Sequence, residues 1–187
     1  MRENWRSKLS VLVGASALAL SAVTATPALA DDAPETPVEI QLPADVKIVE
    51  GVAPAPGTEV PFPVDEAEKA GASAAPAAAK AAPPSNTCLG STAAYGSTGC
   101  FQHNGDIVWA GDTKKDGMSA AVGVYTDYGR AEEVCVNKLG VNTWATCNKD
   151  YRETGNVRLR VLRYDGDTGK FYQPESWSGW IPVDGKY

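Results

Sequence analysis

All four cysteines, four of the five tryptophans and all seven tyrosines of this 187-residue chain fall between Cys88 and Tyr187. Residues 31–87 hold instead ten of the thirteen prolines, fourteen alanines, no cysteine and a single aromatic residue, Phe62. A segment so rich in Pro, Ala and Glu cannot bury enough apolar surface to offset the entropy of ordering its backbone. The split predicts a folded domain over 88–187 behind a disordered, acidic Ala/Pro-rich tether over 31–87.

Cysteine spacing sharpens that domain. Eleven residues separate Cys88 from Cys100, and eleven separate Cys135 from Cys147. An even count in a small exported domain reads as two disulfides. Four cysteines allow three connectivities, of which the two local closures, Cys88–Cys100 and Cys135–Cys147, are favoured. A zinc site would need closer pairs and more than the one histidine available. No metal or other cofactor is expected.

The rest of the domain reads as β. Residues 106–110, 119–126, 131–137, 143–148 and 157–164 alternate apolar with polar side chains or carry strand-forming residues. Asp165-Gly166-Asp167-Thr168-Gly169 is a hairpin turn into Lys170-Phe171-Tyr172. Trp180 to Val183 reads as an edge strand, because Pro182 cannot donate to a ladder. Short strands with regular turns predict an all-β fold, a small disulfide-stabilised β-sandwich or barrel-like domain.

Within the tether, Val38, Ile40 and Leu42 alternate with Glu39 and Gln41, and Val46 and Ile48 continue past Pro43. That period of two suits a strand added to another sheet's edge. Prolines interrupt every run, so a solvated chain is the expectation.

The N-terminus carries Arg2, Arg6 and Lys8, then an uncharged run from Leu9 to Ala25, then Ala28-Leu29-Ala30. This is the pattern of a secretory signal over residues 1–30, cleaved before Asp31. An uncleaved anchor is the alternative, but the run is short for a span of about 20 residues. The expected location is extracellular, free or loosely wall-associated, with no membrane attachment after cleavage. Ten acidic residues against three lysines give residues 31–87 a net charge of −7, while twelve against eleven leave residues 88–187 at −1. Neither half has the basic stripe of a nucleic-acid binder.

Candidates for catalysis are few. His103 sits beside Asn104-Gly105 as a turn residue, and Gly96-Ser97-Thr98-Gly99 is a loop by composition, not a nucleophile elbow. Asp165 and Asp167 start like a calcium loop that then lacks its glycine and glutamate. Glu132 and Glu133 would face opposite sides of a strand, and Glu153 and Glu175 fall in loops, so no acid–base pair can be assigned. No catalytic residue is named.

The surplus is aromatic. Ser176-Trp177-Ser178-Gly179-Trp180 sets two tryptophans three apart, and Trp177 between serines is the one expected at the surface. Trp109, Trp144 and Trp180 are expected in the core. Arg158 and Arg160 share a strand face, with Arg163 opposite. Trp177, Arg158 and Arg160 are therefore the candidate binding residues, since exposed rings and guanidiniums anchor sugar and protein contacts.

In Gly99-Cys100-Phe101, Asp112 through Asp116-Gly117, and Trp144 followed by Cys147-Asn148, the chain resembles small exported proteins of actinobacteria. Those combine a signal peptide, a variable Ala/Pro-rich spacer and a disulfide-linked β domain. They carry no assigned activity, so the resemblance transfers no functional residue. The expected function is a non-catalytic recognition module for an extracellular polymer such as cell-wall glycan, or for a secreted protein. A secreted protease inhibitor is the alternative, and a hydrolase ranks behind it.

Overall fold

The computed structural model describes residues 36–55 and 88–187. The expected signal peptide and the Ala-rich part of the expected tether lie outside the described residues. Every regular element among the described residues is a strand: β1 (Glu39–Ile40), β2 (Lys47–Glu50), β3 (Cys88–Ala94), β4 (Ser97–Gln102), β5 (Ile107–Asp112), β6 (Ser119–Thr126), β7 (Glu133–Asn137), β8 (Thr143–Asn148), β9 (Asn156–Asp165) and β10 (Lys170–Pro182). They form two sheets, one of six strands in the order β1-β10-β9-β6-β7-β2 and one of four in the order β3-β4-β5-β8. All pairings are antiparallel except β2 with β7. The fold is the all-β, two-disulfide one read from the sequence, and of the sandwich and barrel-like forms it takes the two-sheet sandwich.

Alternation places the core. Val157, Leu159 and Val161 of β9 point inward with Val122 and Val124 of β6, against Phe101 and Val108 of the smaller sheet. Such residues bury on one face because successive side chains of a strand point to opposite sides. The sheets approach closely at Gly99, where a Cβ would lie 2.6 Å from a Val122 methyl. Only a residue without a side chain fits there, and pairing with β3 on one side and β5 on the other makes Ser97–Gln102 a strand, where Gly96-Ser97-Thr98-Gly99 had suggested a loop.

Both disulfides are the local closures. Cys88–Cys100 joins neighbouring strands β3 and β4, whereas Cys135–Cys147 joins β7 of the large sheet to β8 of the small one, with Cα atoms 5.9 Å apart. The second bond crosses the core and ties the two layers together.

Residues 36–55 correct the expected boundary at 88. They are part of the β domain, not of a disordered tether. Glu39 and Ile40 pair with Tyr172 and Phe171 at one edge of the large sheet, and Lys47–Glu50 pair with Glu133–Val136 at the other. Between these strands Leu42 and Val46 pack on the sheet's outer face, over a second cluster of Ile40, Ala121, Val134, Val136, Leu162, Tyr164 and Phe171. The segment is a strap that covers an apolar half-face and occupies both sheet edges. An uncovered face of that kind would leave its apolar area in water, and open edges would invite pairing with other chains.

The tryptophans also depart from expectation. Trp109 and Trp144 are buried, but on the outer face of the small sheet beside Cys88–Cys100, with ring centres 6.3 Å apart. Val108 and Ala110 take the inward positions of β5, so Trp109 between them must point outward. Trp180 is not in the core at all, being 50% exposed.

Candidate functional site

The strap covers only part of the large sheet's outer face. Beyond it, the β6–β9–β10 surface presents Tyr125, Arg158, Arg160, Trp177 and Trp180. Trp177 and Trp180 are three apart, a spacing that in a regular strand puts them on opposite faces. A register shift resolves this: Trp177 lies opposite Arg160 and Trp180 opposite Arg158, so Ser178 and Gly179 together oppose Leu159. This is a β-bulge, one extra residue on one strand. Ser178 turns in at the bulge, and its hydroxyl accepts the Leu159 N–H at 2.8 Å. Both tryptophans are thereby carried by the same face as the two arginines.

Trp177 is held on several sides. The Arg158 and Arg160 guanidiniums lie 4.7 and 5.0 Å from its ring centre, and the Tyr125 ring lies 4.9 Å away. Glu175 ties the group together: it accepts Arg160 Nε at 2.7 Å on one oxygen and Trp177 Nε1 at 3.3 Å on the other. Arg160 also donates to the Tyr125 hydroxyl at 3.1 Å. Burial pulls the Arg160 pKa down, but the bonds to Tyr125 and Glu175 outweigh it and the net shift is upward. Arg160 is a permanent cation with an internal counter-charge.

Next to this group stands Glu132, 7% exposed, its carboxylate lying over Gly123, where a Cβ would be 2.9 Å from Oε1. Neither of its oxygens closes a hydrogen bond of regular geometry among the described residues. Burial raises its pKa, the Tyr125 hydroxyl and Arg160 oppose the rise, and Asp45 of the strap adds to it. Glu133 faces the other way and forms ion pairs with Lys47, Arg130 and Lys149.

The structure therefore brings Trp177, Arg158 and Arg160 into one cluster, and adds Tyr125, Glu175, Glu132 and Trp180. Trp180, expected in the core, is the more exposed of the two tryptophans, 50% against 37%. The signal for it was the Ser-Gly pair between two large rings, since small residues mark a bulge. Arg163 points inward, as its odd offset requires, and is 3% exposed; it bonds Asp116 at 3.0 Å and the Gln173 carbonyl, and it caps Tyr95. That is a structural role.

Other candidates fall away. His103 lies in the turn between β4 and β5 against Gly185. Asp165 organises the β9–β10 hairpin by accepting Asp167 N at 2.9 Å and the Thr168 hydroxyl at 2.8 Å. Glu153 stands in an exposed turn. Among the described residues no cluster of three or more His, Cys, Asp or Glu could hold a metal ion. A cavity near Cys135–Cys147, edged by Val108 and Tyr151, measures about 10 Å³ and holds at most about one water molecule. No helix among the described residues is long and apolar enough to cross a membrane.

No family model, curated protein or solved structure matches this chain.

Proposed function

We propose that this is a secreted, non-catalytic recognition module that engages an extracellular polymer or protein through the Tyr125–Arg160–Trp177–Arg158–Trp180 face. The observation that carries the reading is the bulge at Ser178-Gly179, which presents two exposed tryptophans on one sheet face with Arg158 beside them. A strand that interrupts its own ladder to turn a large apolar ring into water offers surface for binding, because leaving that ring exposed forgoes burial worth about 1.5–3 kcal/mol. The two disulfides are typical of extracellular proteins, and residues 1–30 supply the export signal. The inhibitor alternative gains no support from the disulfides, since one joins adjacent strands and the other is buried between layers.

Co-sedimentation of the mature protein with cell walls, a panel of insoluble polysaccharides and individual secreted proteins tests the reading. At least one ligand should retain the parent and lose the Trp180→Ala variant. Retention by none of them, or retention unchanged in both Trp177→Ala and Trp180→Ala, would overturn it.

A further inference from the structure

Resting on that recognition reading, we infer that the face is built for an acidic glycan, with a saccharide ring against Trp180 and that ring's carboxylate against Arg158. What remains free on the face points to this ligand. Arg160 commits its donors within the cluster, to Glu175 and Tyr125. Trp177 is occupied as well, with two guanidiniums and a tyrosine ring between 4.7 and 5.0 Å of its centre. Arg158 is different. Its Nε donates to the Ser178 carbonyl at 2.9 Å and its planar group lies on Trp177, yet among the described residues no carboxylate pairs with it. The terminal nitrogens of its fork are left for an acceptor, and a guanidinium fork matches a carboxylate with two parallel hydrogen bonds.

Trp180 stands opposite Arg158 on the neighbouring strand and is half exposed. Residues paired across a ladder have Cβ atoms about 5 Å apart. An open flat ring and an arginine whose fork meets no carboxylate among the described residues are thus cross-strand neighbours on one face. A ligand that satisfies both carries a rigid face of C–H bonds next to a carboxylate, and a pyranose uronic acid has the two on one ring. A neutral sugar would fill the Trp180 half and leave the covered guanidinium without a counter-charge. An acidic peptide offers a carboxylate on a flexible stem, with no rigid face beside it. Glu175 already pairs with Arg160, so Arg158 is the one cation of the cluster left to attract an acidic ligand.

The test is a titration of the full chain, disulfides intact, with polygalacturonate and with the same polymer after reduction of its carboxyls to alcohols. The intact polymer should bind, about tenfold more tightly than the reduced one, and high salt should weaken it. Arg158→Gln and Trp180→Ala should each lose about tenfold in affinity, and Arg158→Lys should recover part of the loss; a circular-dichroism melt checks that each variant is folded. The reduced-polymer arm needs no variant. Equal binding of both polymers, or an Arg158→Gln protein as tight as the parent, would overturn the acidic class and leave the recognition reading standing. Binding of neither polymer would overturn the inference, while the recognition reading would still be decided by the wider ligand panel.

Discussion

Trp177 stands directly opposite Arg160 on the neighbouring strand, and the guanidinium carbon of Arg160 lies 5.0 Å from the centre of its ring. Arg158, two residues earlier on the same face, lies at 4.7 Å. One indole is thus the common stacking partner of two cations that would otherwise repel each other, and Glu175 neutralises one of them.

Removal of that indole should therefore be felt in stability, and removal of its neighbour should not. Trp177→Ala should lower unfolding free energy by about 1–2 kcal/mol, from two partly exposed cation–π contacts and the Tyr125 ring contact. Trp180→Ala, which deletes a ring that is 50% exposed, should change it by less than about 0.5 kcal/mol. Urea midpoints at constant m-value separate the two outcomes.

The disulfides should differ in weight although their loops are equally long, each closing residues 12 apart in sequence. Loop entropy alone predicts about 3 kcal/mol for each. Cys135–Cys147 is buried and joins the two sheets, while Cys88 is only half-buried at the edge strand β3. The Cys135→Ala/Cys147→Ala protein should be the less stable of the two double variants, by about 1 kcal/mol or more from the cavity it leaves. Thermal or urea unfolding of both double variants under oxidising conditions measures this.

Stability should also depend on Asp112. Burial raises its pKa from 3.8 to about 7, the Lys114 backbone N–H opposes the rise, and Asp116 adds to it. The folded state then holds a proton that the unfolded chain releases between those values. Stability contributed by this group is full below about pH 4 and is lost as pH rises through about 7. Asp112→Asn should be close to neutral at pH 4 and stabilising at pH 8, by at most about 4 kcal/mol and less after local relaxation. Unfolding curves at the two pH values decide it; a variant equally destabilised at both would refute the assignment.

The strap makes a prediction about cleavage. Composition places protease-sensitive chain between about Asp65 and Ser85. Neither disulfide involves residues 36–55, so a cut there severs the strap covalently. It should nevertheless stay bound, held by two strand pairings and by Ile40, Leu42 and Val46 on the outer face. The nicked protein should elute as one species in native gel filtration and as two chains in denaturing electrophoresis. Loss of the N-terminal piece under native conditions would show that these contacts do not hold it.

Much of this protein was legible in its local patterns. Alternation of Val157, Leu159 and Val161 with Arg158 and Arg160 assigns a strand, its buried face and the shared face of the two arginines, because that period is a property of consecutive residues. Asp165 to Gly169 specifies its hairpin by turn chemistry in the same way. Cysteine spacing and the concentration of aromatics mark where a disulfide-linked β core forms. Tertiary structure alone decided the rest, because those outcomes depend on residues far apart in the chain. The alternation of Val38, Ile40 and Leu42 suited an added edge strand, but Glu39 and Ile40 became one only because Tyr172 and Phe171, far along the chain, present an edge to them. Trp109 went outward because Val108 and Ala110 had claimed the core side of β5, and Trp144 because Cys147, three residues on, took the core side of β8. Trp180 joined Trp177 because a single extra residue in the ladder opposite Leu159 reversed its face, and the Ser-Gly pair that permits a bulge becomes one only against its partner strand.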